Sequence, residues 1–162
     1  MPKLFNDLTA LYNEDKSQDT LHLIYYSASK IRASEQNSLY LEKVLALTQK
    51  HVENKPGDLL ASVLEGTIYF ELAGVQREQN NWADALNLYH TTLDTYISVM
   101  EKFPGVDITR PSTQAEQIIN RDIARLNLCL QDIFNRNPEQ INEIKQNPDF
   151  TYLAEALGFT AE

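Results

Sequence analysis

The chain contains 162 residues, of which 43% are hydrophobic and 23% are charged. This length suits a single domain, residues 1–162, with a sizeable buried core, and the composition excludes an intrinsically disordered chain. The formal net charge is −9 at pH 7. Because polyphosphates and anionic membrane surfaces attract cations, this charge argues against nucleic acid and membrane as partners.

The first part of the chain repeats apolar side chains every three to four positions, which is the spacing of one helix face. One such stripe ends at the polar residues 13–16 and consists of Leu4, Phe5, Leu8, Leu11 and Tyr12. A second stripe follows Ser17 and Asp19, either of which is a suitable N-cap. We therefore predict two helices, separated by residues 13–16, before a third helix that begins near Ser34.

The third and fourth helices are separated by a Pro-Gly pair. Ser34 is the predicted N-cap of the third helix, which stops at Pro56. Asp58 then begins the fourth helix, because its carboxylate can accept the unpaired amide hydrogens of the first turn. The apolar pattern of this helix continues to about Gln79.

The fifth helix has the most regular apolar pattern in the chain, from Trp82 to Phe103. A Pro-Gly pair ends it and starts the longest linker, residues 104–111. Thr113 and Glu116 then have the spacing of a capping box, in which each side chain bonds the other residue's backbone amide. This pattern predicts a sixth long helix.

Two Asn-Pro pairs, at 137–138 and 147–148, predict two short final helices, the last of which closes near Gly158. No segment alternates apolar and polar residues, so no strand is predicted. Short connections make neighbouring amphipathic helices antiparallel. We therefore predict an all-α fold of about six long helices and short C-terminal ones, with antiparallel hairpins stacked as a repeat array or packed as a bundle.

The fourth and fifth helices contain a recognisable aromatic and alanine pattern. Residues 69–73 read Tyr-Phe-Glu-Leu-Ala, and residues 80–86 read Asn-Asn-Trp-Ala-Asp-Ala-Leu, followed by Tyr89 and Leu93. Over about residues 66–96 the chain resembles a tetratricopeptide repeat, a helix–turn–helix unit of about 34 residues. The resemblance implies a superhelical array that binds proteins or peptides.

The resemblance is partial, so two architectures stay open. Gln76 stands at the usual tyrosine position, Thr92 replaces a small alanine, and the second helix continues without a proline until Pro104. No second copy of the pattern is evident. The chain is either a tetratricopeptide-like array or another antiparallel helical bundle.

Two sets of candidate partner-binding residues follow from these patterns. The resemblance implies that the first helix of the pair lines a groove, which would expose five residues of the fourth helix: Thr67, Phe70, Glu71, Gly74 and Arg77. The linker adds Asp107 and Arg110, because a long loop on a rigid scaffold often carries function.

No pattern in the sequence indicates catalytic, metal-binding or cofactor-binding residues. The three histidines, His22, His51 and His90, lie on different predicted helices without the spacing of a metal site. Cys129 lies among leucines and is interpreted as a small core residue rather than a nucleophile.

These observations favour a non-enzymatic protein–protein interaction module, a small helical-repeat adaptor or chaperone. The net charge favours a protein or peptide partner that is basic or amphipathic, and a second copy of the chain that covers the apolar ends would give a homodimer. The alternatives are a dedicated acidic antagonist, such as an immunity-type protein that blocks a basic surface, and a helical-bundle enzyme or cofactor carrier. Without a secretory leader pattern in the first residues, cytoplasmic residence is expected.

Overall fold

The computed structural model describes residues 2–32 and 34–160, and within them every regular element is a helix. The prediction of an all-α fold with six long helices is therefore confirmed. A single 3₁₀ turn at Pro138–Gln140 precedes the two short last helices. The helices are α1 (Pro2–Asp15), α2 (Gln18–Ser29), α3 (Ser34–Asn54), α4 (Leu59–Glu78), α5 (Trp82–Lys102), α6 (Gln114–Arg136), α7 (Ile141–Gln146) and α8 (Pro148–Leu157).

Most of the predicted helix starts have the expected hydrogen bonds. Ser17 accepts from two first-turn amides of α2, and Asp58 accepts from the amide of Ala61 in α4. Thr113 and Glu116 form the predicted capping box. These local bonds satisfy amide hydrogens that have no partner inside the helix, which fixes where each helix begins.

The first Asn-Pro pair differs from its prediction. The side-chain amide of Asn137 donates to the carbonyl of Ile133 at 2.9 Å instead of capping a new helix. The chain therefore makes only the 3₁₀ turn there, and α7 begins at Ile141. At the second pair, Asn147 caps α8 as predicted, and Gly158 ends that helix with φ of 64°. The side chain of Ser34, predicted as the cap of α3, lies outside the described residues.

Only part of the predicted apolar stripe of α1 is buried. Phe5 and Tyr12 are buried, whereas Leu4 and Leu11 are each 46% exposed. Helix α1 packs mainly against α2, so only one narrow face of it is covered. The outer part of the stripe therefore stays exposed.

Helices α2, α4 and α6 form one layer and run in the same direction. The contacts between α4 and α6 advance along both helices together, from Thr67 with Asp122 to Arg77 with Asp132. Helix α3 fits between α2 and α4, and α5 packs against α4, α6 and α8, so these helices form a second layer. The layer of α2, α4 and α6 has one face free of the second layer.

A buried hydrogen-bond chain joins α1, α3 and the start of α4. The hydroxyl of Tyr12 lies 2.5 Å from Nδ1 of His51, and Nε2 of His51 lies 2.8 Å from a carboxylate oxygen of Asp58. Although burial raises the pKa of Asp58, hydrogen bonds from His51, the Ala61 amide and Gln18 hold it below the ordinary value. The histidine therefore has a structural role here.

Helices α4 and α5 approach closely at Gly66. A Cβ atom built on Gly66 would lie 2.8 Å from Cδ1 of Tyr96 and closer still to the neighbouring ring carbon Cε1. The ring of Tyr96 is fully buried, so it has no space into which it can move. At the second glycine of α4, Gly74, no atom of residues 2–32 or 34–160 outside the helix's own nearby backbone lies within 4 Å of the hypothetical Cβ.

The linker between α5 and α6 is fixed by one carboxylate. Glu116, 5% exposed, accepts from the backbone amides of Asp107 at 2.6 Å, Ser112 at 3.1 Å and Thr113 at 3.0 Å. These hydrogen bonds lower the pKa of Glu116 to about 2. The side chain of Asn120 adds a bond to the carbonyl of Ile108 at 3.0 Å. The linker is therefore ordered by its own hydrogen bonds.

The two glycines of α4 give a matched stability test. We expect Gly74→Ala to raise the free energy of unfolding by about 0.5–1 kcal/mol, because alanine favours a helix and meets no neighbour. Gly66→Ala should lower it by about 1–3 kcal/mol through overpacking against Tyr96. Urea unfolding followed by circular dichroism measures both. Equal effects of the two substitutions would contradict the close approach at Gly66.

The linker gives a test of acid stability. Because the pKa of Glu116 is lower in the folded chain than its ordinary value of 4.5, its stabilisation is complete above that value and is lost as the pH falls towards about 2. We expect Glu116→Gln to be less stable than the wild type near neutral pH and to show a smaller further loss on acidification. Urea titrations at a series of pH values measure this.

The control is Glu155→Gln, which neutralises an exposed carboxylate of α8. This variant should lose stability with acid as steeply as the wild type. If Glu116→Gln also has the wild-type slope, the linker is held by other contacts.

Candidate functional site

The free face of α2, α4 and α6 forms a continuous groove. Its central cavity, of about 470 Å³, shares His22, Tyr26 and Gln114 with the cavity at one end, and Glu71 and Arg125 with the cavity at the other. Most of the residues that α4 contributes are three or four positions apart, so they lie on one helix face. Six of them follow this spacing without a break, namely Leu60, Leu64, Thr67, Glu71, Gly74 and Glu78, and α4 also contributes Phe70, Val75 and Arg77.

One end of the groove, which we call the apolar end, is formed where α2 and α4 begin. Leu23 and Tyr26 of α2 are 51% and 55% exposed, and both line this end together with Leu60. Side chains of this size are usually covered in a folded protein, so two of them together mark a surface able to contact another molecule.

The middle of the groove presents two arginines of α6, one helical turn apart. Nε of Arg121 lies 3.1 Å from a carboxylate oxygen of Asp122, and the Arg121 side chain remains 54% exposed. Arg125 lies with its guanidinium carbon 5.0 Å from the centroid of the Phe70 ring. Among the described residues, Arg125 has no hydrogen-bonding or ion-pair partner.

The carboxylates near these arginines are already hydrogen-bonded within the chain. Glu71 accepts from the hydroxyl of Tyr25 at 3.1 Å. Burial and the neighbouring Glu71 carboxylate raise the pKa of Tyr25 well above its usual value, so the phenol keeps its proton and remains a donor. Asp122, which is fully buried, accepts from the hydroxyl of Tyr96 at 2.5 Å.

Arg77, at the other end of the groove, is turned towards the interior. Its Nη1 donates to the sulfur of Cys129 at 2.8 Å and to the hydroxyl of Tyr89 at 3.2 Å. Its Nε lies 3.1 Å from a carboxylate oxygen of Asp132, an ion-pair distance without hydrogen-bond alignment. Arg77 therefore connects α4, α5 and α6 instead of presenting a free charged tip.

The other residues implied by the repeat resemblance are placed in two ways. Glu71 and Gly74 lie in the groove. Thr67 and Phe70 also reach its floor but are only 7% and 6% exposed, less than expected. The reason is that α6 covers this face of α4. Thr67 lies 3.0 Å from the hydroxyl of Tyr96, within the same buried cluster.

The two linker candidates lie apart from the groove. Asp107 accepts from both the amide and the hydroxyl of Thr109, at 3.0 and 2.6 Å, which lowers the pKa of the Asp107 carboxyl. Arg110 is exposed. Neither residue lines the groove, and the hydrogen bonds of Asp107 stabilise the conformation of the linker.

Sequence reasoning missed the groove walls supplied by α2 and α6. The repeat resemblance covers only about residues 66–96, so it gives no information on Tyr26, Arg121 or Arg125. A signal was present in α6, where Gln114, Gln117, Arg121 and Arg125 share one helix face. That polar face was recognisable from spacing, but nothing local shows which helix lies opposite.

Another polar cluster, around His90, joins two helices away from the groove. His90 lies between two carboxylates, at 3.2 Å from Asp94 and 2.7 Å from Asp149, and stacks on the ring of Tyr152 at 3.9 Å. These contacts attach α8 to α5. Within residues 2–32 and 34–160, no group of three or more histidine, cysteine, aspartate or glutamate residues is placed to hold a metal ion. No helix in that same part of the chain has the length and apolarity needed to cross a membrane.

Comparisons with protein families, with curated proteins and with solved structures give no match for this chain.

Proposed function

We propose that this chain is a non-enzymatic interaction module, an adaptor or chaperone that holds a segment of a partner protein in the groove between α2, α4 and α6. The observation that supports this best is the continuity of the groove along one face of three parallel helices. Such a face offers many weak contacts over its length, as a site for an extended or helical segment requires. We retain cytoplasmic residence as part of the proposal.

The layered packing also supports a tetratricopeptide-like arrangement. In this proposal α2 with α3, and α4 with α5, are successive pairs, and α6 begins the next. The first helix of each pair lines the groove, and the second lies behind it. Rigid helices stacked in this way present a concave surface that is already formed before the partner binds, which lowers the entropy lost on binding.

The groove also combines the side-chain types that are frequent at binding hot spots. Tyr26 contributes a large amphipathic ring, and Arg125 contributes a guanidinium that has no partner among the described residues. Gly74 leaves open space in the groove on the side of Arg77. Tyrosine and arginine are enriched among residues that dominate binding energy.

A peptide-display experiment tests the proposal. The purified full-length chain is used to select from a phage-displayed library of random peptides of about 12 residues, long enough to follow an α4 helix of about 30 Å. We expect enriched peptides whose addition shifts backbone amide resonances on α2, α4 and α6. Failure to enrich any peptide, or shifts confined to the outer faces of α3 and α5, would exclude this function for the groove.

A matched pair of glycine substitutions tests the position of binding. Gly74→Gln adds a side chain into open groove space and should weaken binding of the selected peptides about tenfold or more by steric exclusion. Gly105→Gln adds the same side chain into open space outside the groove and should leave affinity unchanged. Fluorescence anisotropy measures both affinities, and circular dichroism verifies that each variant is folded.

A further inference from the structure

The charge in the middle of the groove differs from the charge of the whole chain, while the exposed carboxylates of Asp19 and Glu78 line the two ends. The chain carries −9, yet the carboxylates in the middle of the groove are directed inward or hydrogen-bonded. Asp122 is fully buried, and Glu71 holds the hydroxyl of Tyr25. The exposed charged groups in the middle of the groove are the guanidinium groups of Arg121 and Arg125.

These two arginines have unused hydrogen-bond donors. Arg121 uses its Nε towards Asp122, which leaves both terminal nitrogens available. Arg125 donates no hydrogen bond to a described residue, so its whole planar fork is available for a carboxylate. Two guanidinium groups one helical turn apart can each donate hydrogen bonds to a carboxylate of a partner segment bound along the groove.

Arg125 is also held in position before a partner arrives. Its guanidinium lies over the face of Phe70, and Phe70 in turn packs edge-on against Tyr89 with ring centroids 5.6 Å apart. Stacking on an aromatic face restricts the long side chain while leaving the N–H groups at its edge free. Binding a carboxylate here therefore loses less side-chain entropy than binding to a freely moving arginine.

The distance from the apolar end to Arg121 sets the spacing, in a bound peptide, between an apolar residue and an acidic one. Gln114, which lines the apolar end, precedes Arg121 by seven residues, or about 10 Å along α6. An extended peptide covers that distance in about three residues. A segment that places an apolar side chain on Leu23 and Tyr26 thus brings a side chain about three residues away to Arg121.

We infer, resting on the proposed function, that the groove recognises an acidic amphipathic segment, with an apolar anchor at the apolar end and carboxylates on Arg121 and Arg125. This inference differs from the basic or amphipathic partner expected from the net charge, which follows from the whole chain and not from the groove. Charges elsewhere on the surface are screened over about 8 Å at physiological salt, whereas an ion pair in the groove forms in direct contact. The guanidinium groups of Arg121 and Arg125 therefore favour a partner segment that carries carboxylates.

The test uses three phage-displayed peptide libraries that share one fixed apolar residue. In the first library the variable positions are rich in Glu and Asp, in the second in Gln and Asn, and in the third in Lys and Arg. We expect the acidic library to give groove-binding peptides, mapped by amide shifts on α2, α4 and α6. Their affinity should fall with added NaCl, because salt screens the ion pairs.

Substitutions then identify the residues responsible. Arg125→Gln should weaken the selected acidic peptides about tenfold, because it removes a charge-assisted, two-pronged contact while retaining a helix-forming side chain. Lys50→Gln removes the same charge from α3, outside the groove, and should leave the affinity within about twofold of the wild type, since distant surface charges are screened. Arg125 has no ion-pair partner in the described chain, so the variant is expected to fold.

The outcomes separate the two proposals. If the neutral or basic library supplies the groove-binding peptides, or if Arg125→Gln binds acidic peptides as the wild type does, the inference of an acidic partner is overturned while the interaction groove stands. If no library yields a peptide that shifts groove residues, both proposals fail.

Discussion

The contact between Tyr96 and Gly66 determines how the groove is built. Because Gly66 has no side chain, the Tyr96 ring can lie against α4 and direct its hydroxyl to the buried carboxylate of Asp122 on α6. This bond holds Asp122 on the inward face of α6, beside the buried apolar residues of that helix. With Asp122 turned inward, the preceding Arg121 and the next-turn Arg125 both line the groove. The core contact and the candidate site therefore share two helices, α4 and α6.

The distribution of charge follows from the same packing. A buried carboxylate destabilises a fold unless donors surround it, and here the donors are hydroxyl groups and one adjacent arginine. Burial and Asp122 raise the pKa of Tyr96 well above its usual value, so its phenol remains a donor throughout the ordinary pH range. Neutral donors satisfy much of the carboxylate's hydrogen bonding. Arg121 therefore still has donors for an external ligand in a chain that is acidic overall.

The elements that sequence predicts well are those fixed by nearby residues. Asp58 and the Thr113–Glu116 box mark helix starts because the bonds involved lie within a single turn. The exposure of Thr67 and of Leu11 was not predictable in this way, since it depends on which distant helix covers each face. For the same reason the repeat resemblance located one wall of the groove, α4, and could not identify the other two. Local bonds are encoded in short segments, whereas the groove arises from contacts between segments about fifty residues apart.

The two glycines of α4, Gly66 and Gly74, have different surroundings in the fold. Each lowers the intrinsic stability of the helix by about 1 kcal/mol relative to alanine. At Gly66 the fold offsets this through the buried Tyr96 ring, which occupies the space that a side chain would take. At Gly74 no atom of the described residues occupies the equivalent space, which opens instead into the groove beside Glu71 and Arg125. Packing within the chain therefore accounts for the first glycine, and a partner segment lying across α4 would account for the second, because only an external group would use the space that Gly74 leaves open.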